Sequence, residues 1–427
     1  MRRLRNQIYK LTEIIRSQKT VVKNFSFLSI LQFTQMVIGL LVYPYLIKIL
    51  GTNNYGVVAY SQAIIGYAVL FTNYGFNVTA TRDIARYKDN AFQKSKIFST
   101  VLVVKFLIFI LISILIIFLT YFVDFLNQYQ LAYIITLIAL FGWVLFPDWF
   151  FQGIEKMQNI TYLMVVFKVL SVFFIFIFVN SPEDYIKAIL INSISMFLIG
   201  VSGIVLVFRL NEDLQFKKPS IIRITSQMKR GFAYFFSNIS ASSKDYASTF
   251  IIGAFFNYSE VGIYDLIVKI VKVMQIPISI FTRAVFPKIS IVKSIKFNNK
   301  IGKIMFIYGL LAFGFILLFG KIILLYLLDS GTSYYTILCF KIMAISLPLL
   351  ALTSLKGTLT LVAFNYDTSF TKGIIISILF YIVLLFLLYN FNYINIVSVT
   401  LAIVGSVAIE LISHLYFISK NKIENSY

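Results

Sequence analysis

The sequence predicts an all-α polytopic membrane protein of about twelve transmembrane helices, arranged along the chain as two sets of six with both termini cytoplasmic. Three observations carry that expectation. Of the 427 residues, 59% are hydrophobic and only 13% charged, and mean hydropathy is +0.87. Soluble domains carry roughly 25% charged residues, so the solvent of this chain is lipid. Apolar stretches near or above the roughly 20 residues that cross a bilayer recur along the whole sequence, and basic residues are confined to alternate loops.

Residues 1–24 form a basic cytoplasmic segment. Leu4, Ile8, Leu11 and Ile15 stand at helical spacing, which fits a short surface helix on an anionic leaflet, and a flexible basic tail fits equally. The apolar run that follows is too long for a cleavable signal and has no small-residue cleavage site. The N-terminal lobe, 25–208, holds segments one to six: Phe25–Ile47, Tyr55–Phe76, Ile97–Val123, Leu131–Phe151, Thr161–Asn180 and Ile186–Phe208. A cytoplasmic inter-lobe loop, 209–231, separates it from the C-terminal lobe, 232–418. That lobe holds segments seven to twelve: Phe232–Phe256, Val261–Phe286, Ile304–Leu328, Tyr334–Ala363, Gly373–Asn390 and Tyr393–Ile418. A cytoplasmic tail, 419–427, ends the chain. At an offset of 206 residues, Gly51–Gly56 falls on Asn257–Gly262 and Arg82 on Lys288, a weak internal repeat.

The net charge of +21 raises the question of nucleic acid, and charge placement answers it. Of the 38 Lys and Arg, 27 lie in the termini and the loops on one side, and only Lys48 and Lys187 lie on the other. Such asymmetry is the positive-inside rule. No soluble domain remains to carry a nucleic-acid surface, and no nucleic-acid partner is expected.

Enzyme motifs are absent. Gly314–Ile322 resembles a nucleotide loop, yet its glycines are one residue too far apart and Lys321 is followed by Ile322. One His (His414), one Cys (Cys339) and no paired ligand spacing speak against a metal site, and no cofactor is expected. Cys339 alone excludes an intrachain disulfide.

What remains is charge inside the membrane, costing about 2.5–3.5 kcal/mol per group at a helix centre. Lys105, Lys168, Lys321, Lys341 and Lys356 lie near helix ends, where their stems can snorkel to the headgroups. Lys244 and Asp245 on segment seven, and Lys272 on segment eight, lie deeper. On segment eight Asp265, Lys269, Lys272, Ser279 and Arg283 follow helical spacing and share one stripe. Segment seven offers Ser237, Ala241, Lys244, Asp245 and Ser248. Segments one and two carry uncharged counterparts in Ser29, Gln32, Gln35, Ser61, Gln62, Gly66 and Asn73. Two readings stand side by side: the stripes line a hydrated path, or Lys244, Asp245, Asp265 and Lys269 pair to hold helices together. Pro277 and Pro348 each fall well inside a span, as a bending point or a static kink. Most of the aromatic content, 17%, suits interfacial belts and lipid packing.

Three stretches bear a family likeness. Tyr43–Ala85 carries Pro44-Tyr45, Leu50-Gly51, Tyr55-Gly56, Asn73-Tyr74-Gly75-Phe76 and Arg82. Asp148–Ile160 reads DWFFQGIEKMQNI, and Phe235–Ser290 carries Gly262-Ile263-Tyr264 with Pro277 and Pro287. Together they resemble the Wzx-type lipid-linked oligosaccharide flippases for O-antigen or capsule repeat units, in the polysaccharide transporter family of the multidrug/oligosaccharidyl-lipid/polysaccharide (MOP) exporter superfamily. The resemblance implies two six-helix lobes around a central cavity lined by segments one, two, seven and eight. It also implies an undecaprenyl-diphosphate-linked oligosaccharide moved from the cytoplasmic to the outer leaflet of the bacterial inner membrane. Membrane lipids, a polysaccharide polymerase and chain-length machinery are the implied partners. The chain departs from the pattern in its deep cations, which are mostly lysines.

The resulting expectation is a secondary transporter and not an enzyme. Lys244, Lys269, Lys272 and Arg283 form a cationic track for the substrate's diphosphate or acidic sugars. Asp245 and Asp265 temper that charge, and either can take a proton when the anion leaves. Asp148 and Glu155 either shape an entry gate or anchor the end of segment four. A multidrug exporter is disfavoured by the basic track, a peptidoglycan-precursor flippase by the count of twelve segments. A membrane polysaccharide polymerase is disfavoured by the very short external loops.

Overall fold

In the computed structural model the backbone is described for residues 2–328 and 333–423, and side chains for these except 2–25, 28, 233, 237, 240–243, 245, 287 and 292. Within the described residues the chain is helical throughout its ordered elements. They are α1 (Arg2–Asn73), α2 (Phe76–Arg86), α3 (Ala91–Phe122), α4 (Asp124–Asn127), α5 (Gln130–Leu145), α6 (Asp148–Gly153), α7 (Met157–Phe178) and α8 (Tyr185–Leu210). There follow α9 (Ile221–Phe255), α10 (Tyr258–Val292), α11 (Ile295–Leu328), α12 (Tyr334–Ala344), α13 (Ser346–Thr353), a π-helix over Ser354–Val362, α14 (Asp367–Asn390) and α15 (Ile396–Lys420).

Each of the twelve expected segments falls on helix. Among the described residues, nine segments are long and apolar enough to span a membrane. The first of them, Ser29–Arg86, has 58 residues, about 87 Å as a straight helix and far too long for a single crossing. It turns at Gly51, whose φ of 73° and ψ of 169° suit only glycine. α9 and α10 have 35 residues each. Helices also outrun the hydropathy signal: α9 begins at Ile221, ahead of the expected Phe232, because its polar first turns need only water for a solvent. Asparagine and serine fix several starts. Asn90 accepts from Gln93 N at 3.0 Å, Asn257 from Glu260 N at 2.9 Å, Ser333 from Thr336 N at 3.1 Å and Asn395 from Ser398 N at 2.8 Å.

The chain forms two compact units. The first takes Met1–Ile38, Ala68–Ile177 and Ile189–Phe235; the second takes Gly39–Tyr67, Phe178–Ala188 and Phe236–Tyr427. The first is centred on the DWFFQG stretch: Trp149, Phe150 and Phe151 are fully buried with Phe76, Ile84 and Phe98. Gly153 lets α6 close on α2, since a Cβ there would lie 2.7 Å from Ile84 and 2.9 Å from the Thr81 carbonyl oxygen.

In the second unit the two turns of the internal repeat pack on each other reciprocally. A Cβ on Gly56 would lie 1.7 Å from the Tyr258 carbonyl oxygen, and one on Gly262 would lie 2.3 Å from the Thr52 carbonyl oxygen. At the 206-residue offset Gly56 corresponds to Gly262 and Thr52 to Tyr258, so the two contacts are the same contact made twice. Ser259 Oγ adds a hydrogen bond to Thr52 Oγ1 at 2.7 Å.

Candidate functional site

The second unit holds two separate charged clusters, built on Lys269 and on Lys244. The first is centred on Lys269 of α10. Its Nζ lies 2.7 Å from Asp265 Oδ2, one turn earlier on the same helix, and donates to Gln62 Oε1 at 2.9 Å and Tyr55 Oη at 3.3 Å. Tyr55 in turn donates to Asp265 Oδ2 at 2.8 Å. The ammonium also stands over the Tyr43 ring at 3.8 Å, a cation–π contact that strengthens where water is scarce. Lys269 therefore binds α10 to the parts of α1 on either side of Gly51, and Asp265 is its counter-ion.

The second cluster joins α9, α14 and α15. Lys244 Nζ lies 3.0 Å from Glu410 Oε2 and 3.0 Å from Ser377 Oγ, and the Ser377 hydroxyl reaches Glu410 at 3.4 Å. One turn along α9, Ser248 Oγ meets Tyr381 Oη at 2.7 Å. One turn beyond Glu410, His414 is fully buried, stacked on Phe370 at 5.3 Å and closely flanked by Gly357 and Gly373. Paired and hydrogen-bonded, these charges meet the condition for tolerating burial. Of the two sequence readings, pairing describes Asp265 with Lys269. Lys244 also pairs, but with Glu410, which the sequence reading passed over. Its trace was there: a deep lysine calls for a carboxylate, and Glu410 lies inside an apolar span.

Lys272 and Arg283 continue the stripe on α10 and are exposed, whereas Val271 and Ile278 on the other side of that helix are buried. Asp245, with Ser237 and Ala241, lies outside the residues whose side chains are described.

The prolines behave differently. α10 runs uninterrupted through Pro277, and Tyr308 Oη donates to the Met274 carbonyl one turn before it at 3.0 Å. Before Pro348 the helix breaks: α12 ends at Ala344, the residue whose carbonyl Pro348 has no N–H to satisfy. The π-helix that follows is tied to α11 by Asn298 Nδ2, which donates to the Leu359 carbonyl at 3.0 Å.

In the first unit Asp148 opens α6, where a carboxylate suits the positive end of a helix. Lys105 does not snorkel: it is 1% exposed and donates to the Trp143 carbonyl at 2.9 Å. The fold brings α5 over its ammonium before the headgroups come within reach. Glu155 is exposed just beyond α6 with φ of 60°, while the N–H of Lys156 returns to the Phe151 carbonyl at 2.9 Å. That is the geometry of a helix stop that glycine usually fills.

Comparison with known proteins follows the same lines. The model of a family described as "Polysaccharide biosynthesis protein" matches residues 21–293. A protein of Escherichia coli (strain K12) described as "Putative O-antigen transporter" is 28% identical over 371 residues, 85% of this chain and 89% of the relative. One of the same description from Shigella dysenteriae is 30% identical over 285 residues, 65% of this chain and 70% of the relative. Among solved structures, the lipid II flippase MurJ in an inward closed conformation superposes with a TM-score of 0.70 at 15% identity, covering 92% of this chain and 87% of that one. An inward-facing MATE family multidrug resistance transporter of the MOP superfamily gives 0.64 at 14% identity, covering 91% and 98%.

Proposed function

The chain belongs to the polysaccharide biosynthesis protein family, and from that premise we propose that it is the transporter that carries a lipid-linked oligosaccharide repeat unit across the inner membrane for surface polysaccharide assembly. It is a multi-pass membrane protein with the fold of MOP-superfamily transporters, and two relatives are described as putative O-antigen transporters. The substrate we infer is an undecaprenyl-diphosphate-linked glycan moved from the cytoplasmic to the outer leaflet. A polymerase and chain-length machinery would act on the product.

One observation carries the reading: Lys272 and Arg283 stand exposed on the cationic stripe of α10, which also carries Lys269. A cation facing lipid costs several kcal/mol, so an exposed stripe of this sign belongs against water and an anion. Lys272 and Arg283 meet the diphosphate first. Lys269 and Lys244 hold the helices in register and change partners when the anion arrives, which frees Asp265 or Glu410 to take a proton. Coupling by proton uptake then accompanies anion binding. A basic stripe also speaks against export of cationic drugs.

Vesicles reconstituted with the protein and a labelled lipid-diphosphate oligosaccharide test this directly. Lys272→Ala/Arg283→Ala should insert and fold normally yet lose flipping, while Lys272→Arg retains part of it. Full flipping in the double variant refutes the assignment of these cations. Glycan elongation by the purified protein would refute the transporter reading as a whole.

A further inference from the structure

A different cationic group lies in the first unit, where the loop between α8 and α9 returns to the start of α3. Two loop N–H groups are fixed there: Gln215 N donates to Ser95 Oγ at 3.0 Å and Lys217 N to Ser99 Oγ at 2.8 Å. Both serines are buried, and just before the first tether Leu214 is buried in the hydrophobic core of that unit. The tethers set Lys217 against Phe92, with its Nζ 3.9 Å from the ring centroid. Lys96 Nζ lies 3.8 Å from the same centroid. Arg223 stands exposed in the first turn of α9, six residues along the chain from Lys217.

Two like charges are thus held about one aromatic ring, with a third, Arg223, at the start of the adjoining helix. Among the described residues no carboxylate lies within ion-pair distance of any of the three, and a cation–π contact offsets only part of their repulsion. Pre-organised cations in this state form a receptor for a multiply oxygenated anion. The surroundings specify which kind. Phe92 is 49% exposed, Phe216 59%, and Ile221 and Ile222, at the start of α9, are 78% and 80% exposed. A water-soluble phosphate leaves those apolar side chains uncovered, whereas a lipid whose acyl chains continue from its phosphate covers them.

We propose that Lys96 and Lys217, arranged about Phe92, together with Arg223 at the start of α9, bind the headgroup phosphate of an anionic membrane glycerophospholipid, with Phe216, Ile221 and Ile222 against its acyl chains. The site is separate from the α10 stripe and does not depend on what the protein transports.

The test uses the full chain in vesicles of phosphatidylglycerol and phosphatidylcholine containing a trace of photoactivatable phosphatidylglycerol, with crosslinked peptides mapped by mass spectrometry. Crosslinks should fall on the peptides holding residues 92–96 and 216–223. Each cation near an anionic surface is worth about five-fold in lipid affinity, so Lys96→Gln/Lys217→Gln/Arg223→Gln should lower these crosslinks at least ten-fold. The matched variant Lys296→Gln/Lys300→Gln/Lys303→Gln should leave them unchanged. Phe92→Leu, which keeps every charge, gives a milder second variant should the triple fail to fold, and it should lower them several-fold. Unchanged crosslinking in the triple variant, or in Phe92→Leu where the triple does not fold, overturns the proposal. Competition by millimolar inorganic phosphate as strong as by phosphatidylglycerol would overturn the lipid source. Stronger competition by a polyprenyl diphosphate would overturn it in favour of the transported lipid.

Discussion

Replacing Lys244 by methionine removes the ammonium that lies 3.0 Å from Glu410 Oε2 and 3.0 Å from Ser377 Oγ, with the Lys244 and Glu410 side chains 11% and 20% exposed. Breaking a buried ion pair from one side costs about 3–5 kcal/mol, because the surviving charge stays buried. Here the Ser377 hydroxyl remains for Glu410, and its partial exposure admits some water, so about 2 kcal/mol is the working figure for Lys244→Met. Glu410→Gln strands the ammonium at a similar cost. Lys244→Met/Glu410→Gln removes both charges and should return to within about 1 kcal/mol of the parent, a coupling of about 3–4 kcal/mol. Unfolding in detergent micelles titrated with sodium dodecyl sulfate, followed by circular dichroism, measures all four proteins. If the double variant loses the sum of the two single losses, with coupling below about 0.5 kcal/mol, the pairing has no energetic content and the reasoning fails.

Three further outcomes follow from the geometry. Gly56→Ala and Gly262→Ala each drive a Cβ into backbone and should cost more than about 2 kcal/mol apiece; normal thermal stability of either would contradict the close packing of the two turns. Glu155→Gly relieves a positive φ outside glycine and should raise stability by about 1 kcal/mol without changing flipping, whereas loss of flipping with stability intact would make Glu155 part of a gate. Reporter fusions after Asn90, Lys217 and Asn298 should read cytoplasmic and those at Asn53 and Asn127 external, and two reversed readings would discard the expected topology.

The membrane segments were legible because crossing a bilayer demands a run of apolar residues that few other structures need. Helix ends were not, since nothing in hydropathy stops α9 or α11 from continuing into water. Among the charges, Asp265 with Lys269 was legible as an i, i+4 pair on one stripe. The partner of Lys244 was not, because Glu410 stands 166 residues away and only the packing of α9 on α15 brings them together. Lys105 shows the opposite failure, since its nearness to a helix end suggested the headgroups while the fold placed the Trp143 carbonyl closer. The DWFFQG stretch drew attention as a possible gate. Its aromatic residues turn out to build the core of the first unit, a constraint as strict on sequence as contact with a substrate.

The reciprocal approach of Gly56 and Gly262 also bears on descent. When residue i of one copy touches residue j of the other, and j of the first touches i of the second, the contact is isologous, the mark of a two-fold homodimer. Thr52 and Gly56 stand to Tyr258 and Gly262 in that relation within one polypeptide, as two identical chains would leave them after gene fusion. At the same offset Asp265, Lys269 and Lys272 correspond to Ala59, Ala63 and Gly66, so the charge that a symmetric dimer must carry twice is carried once, by the later copy of the repeat alone.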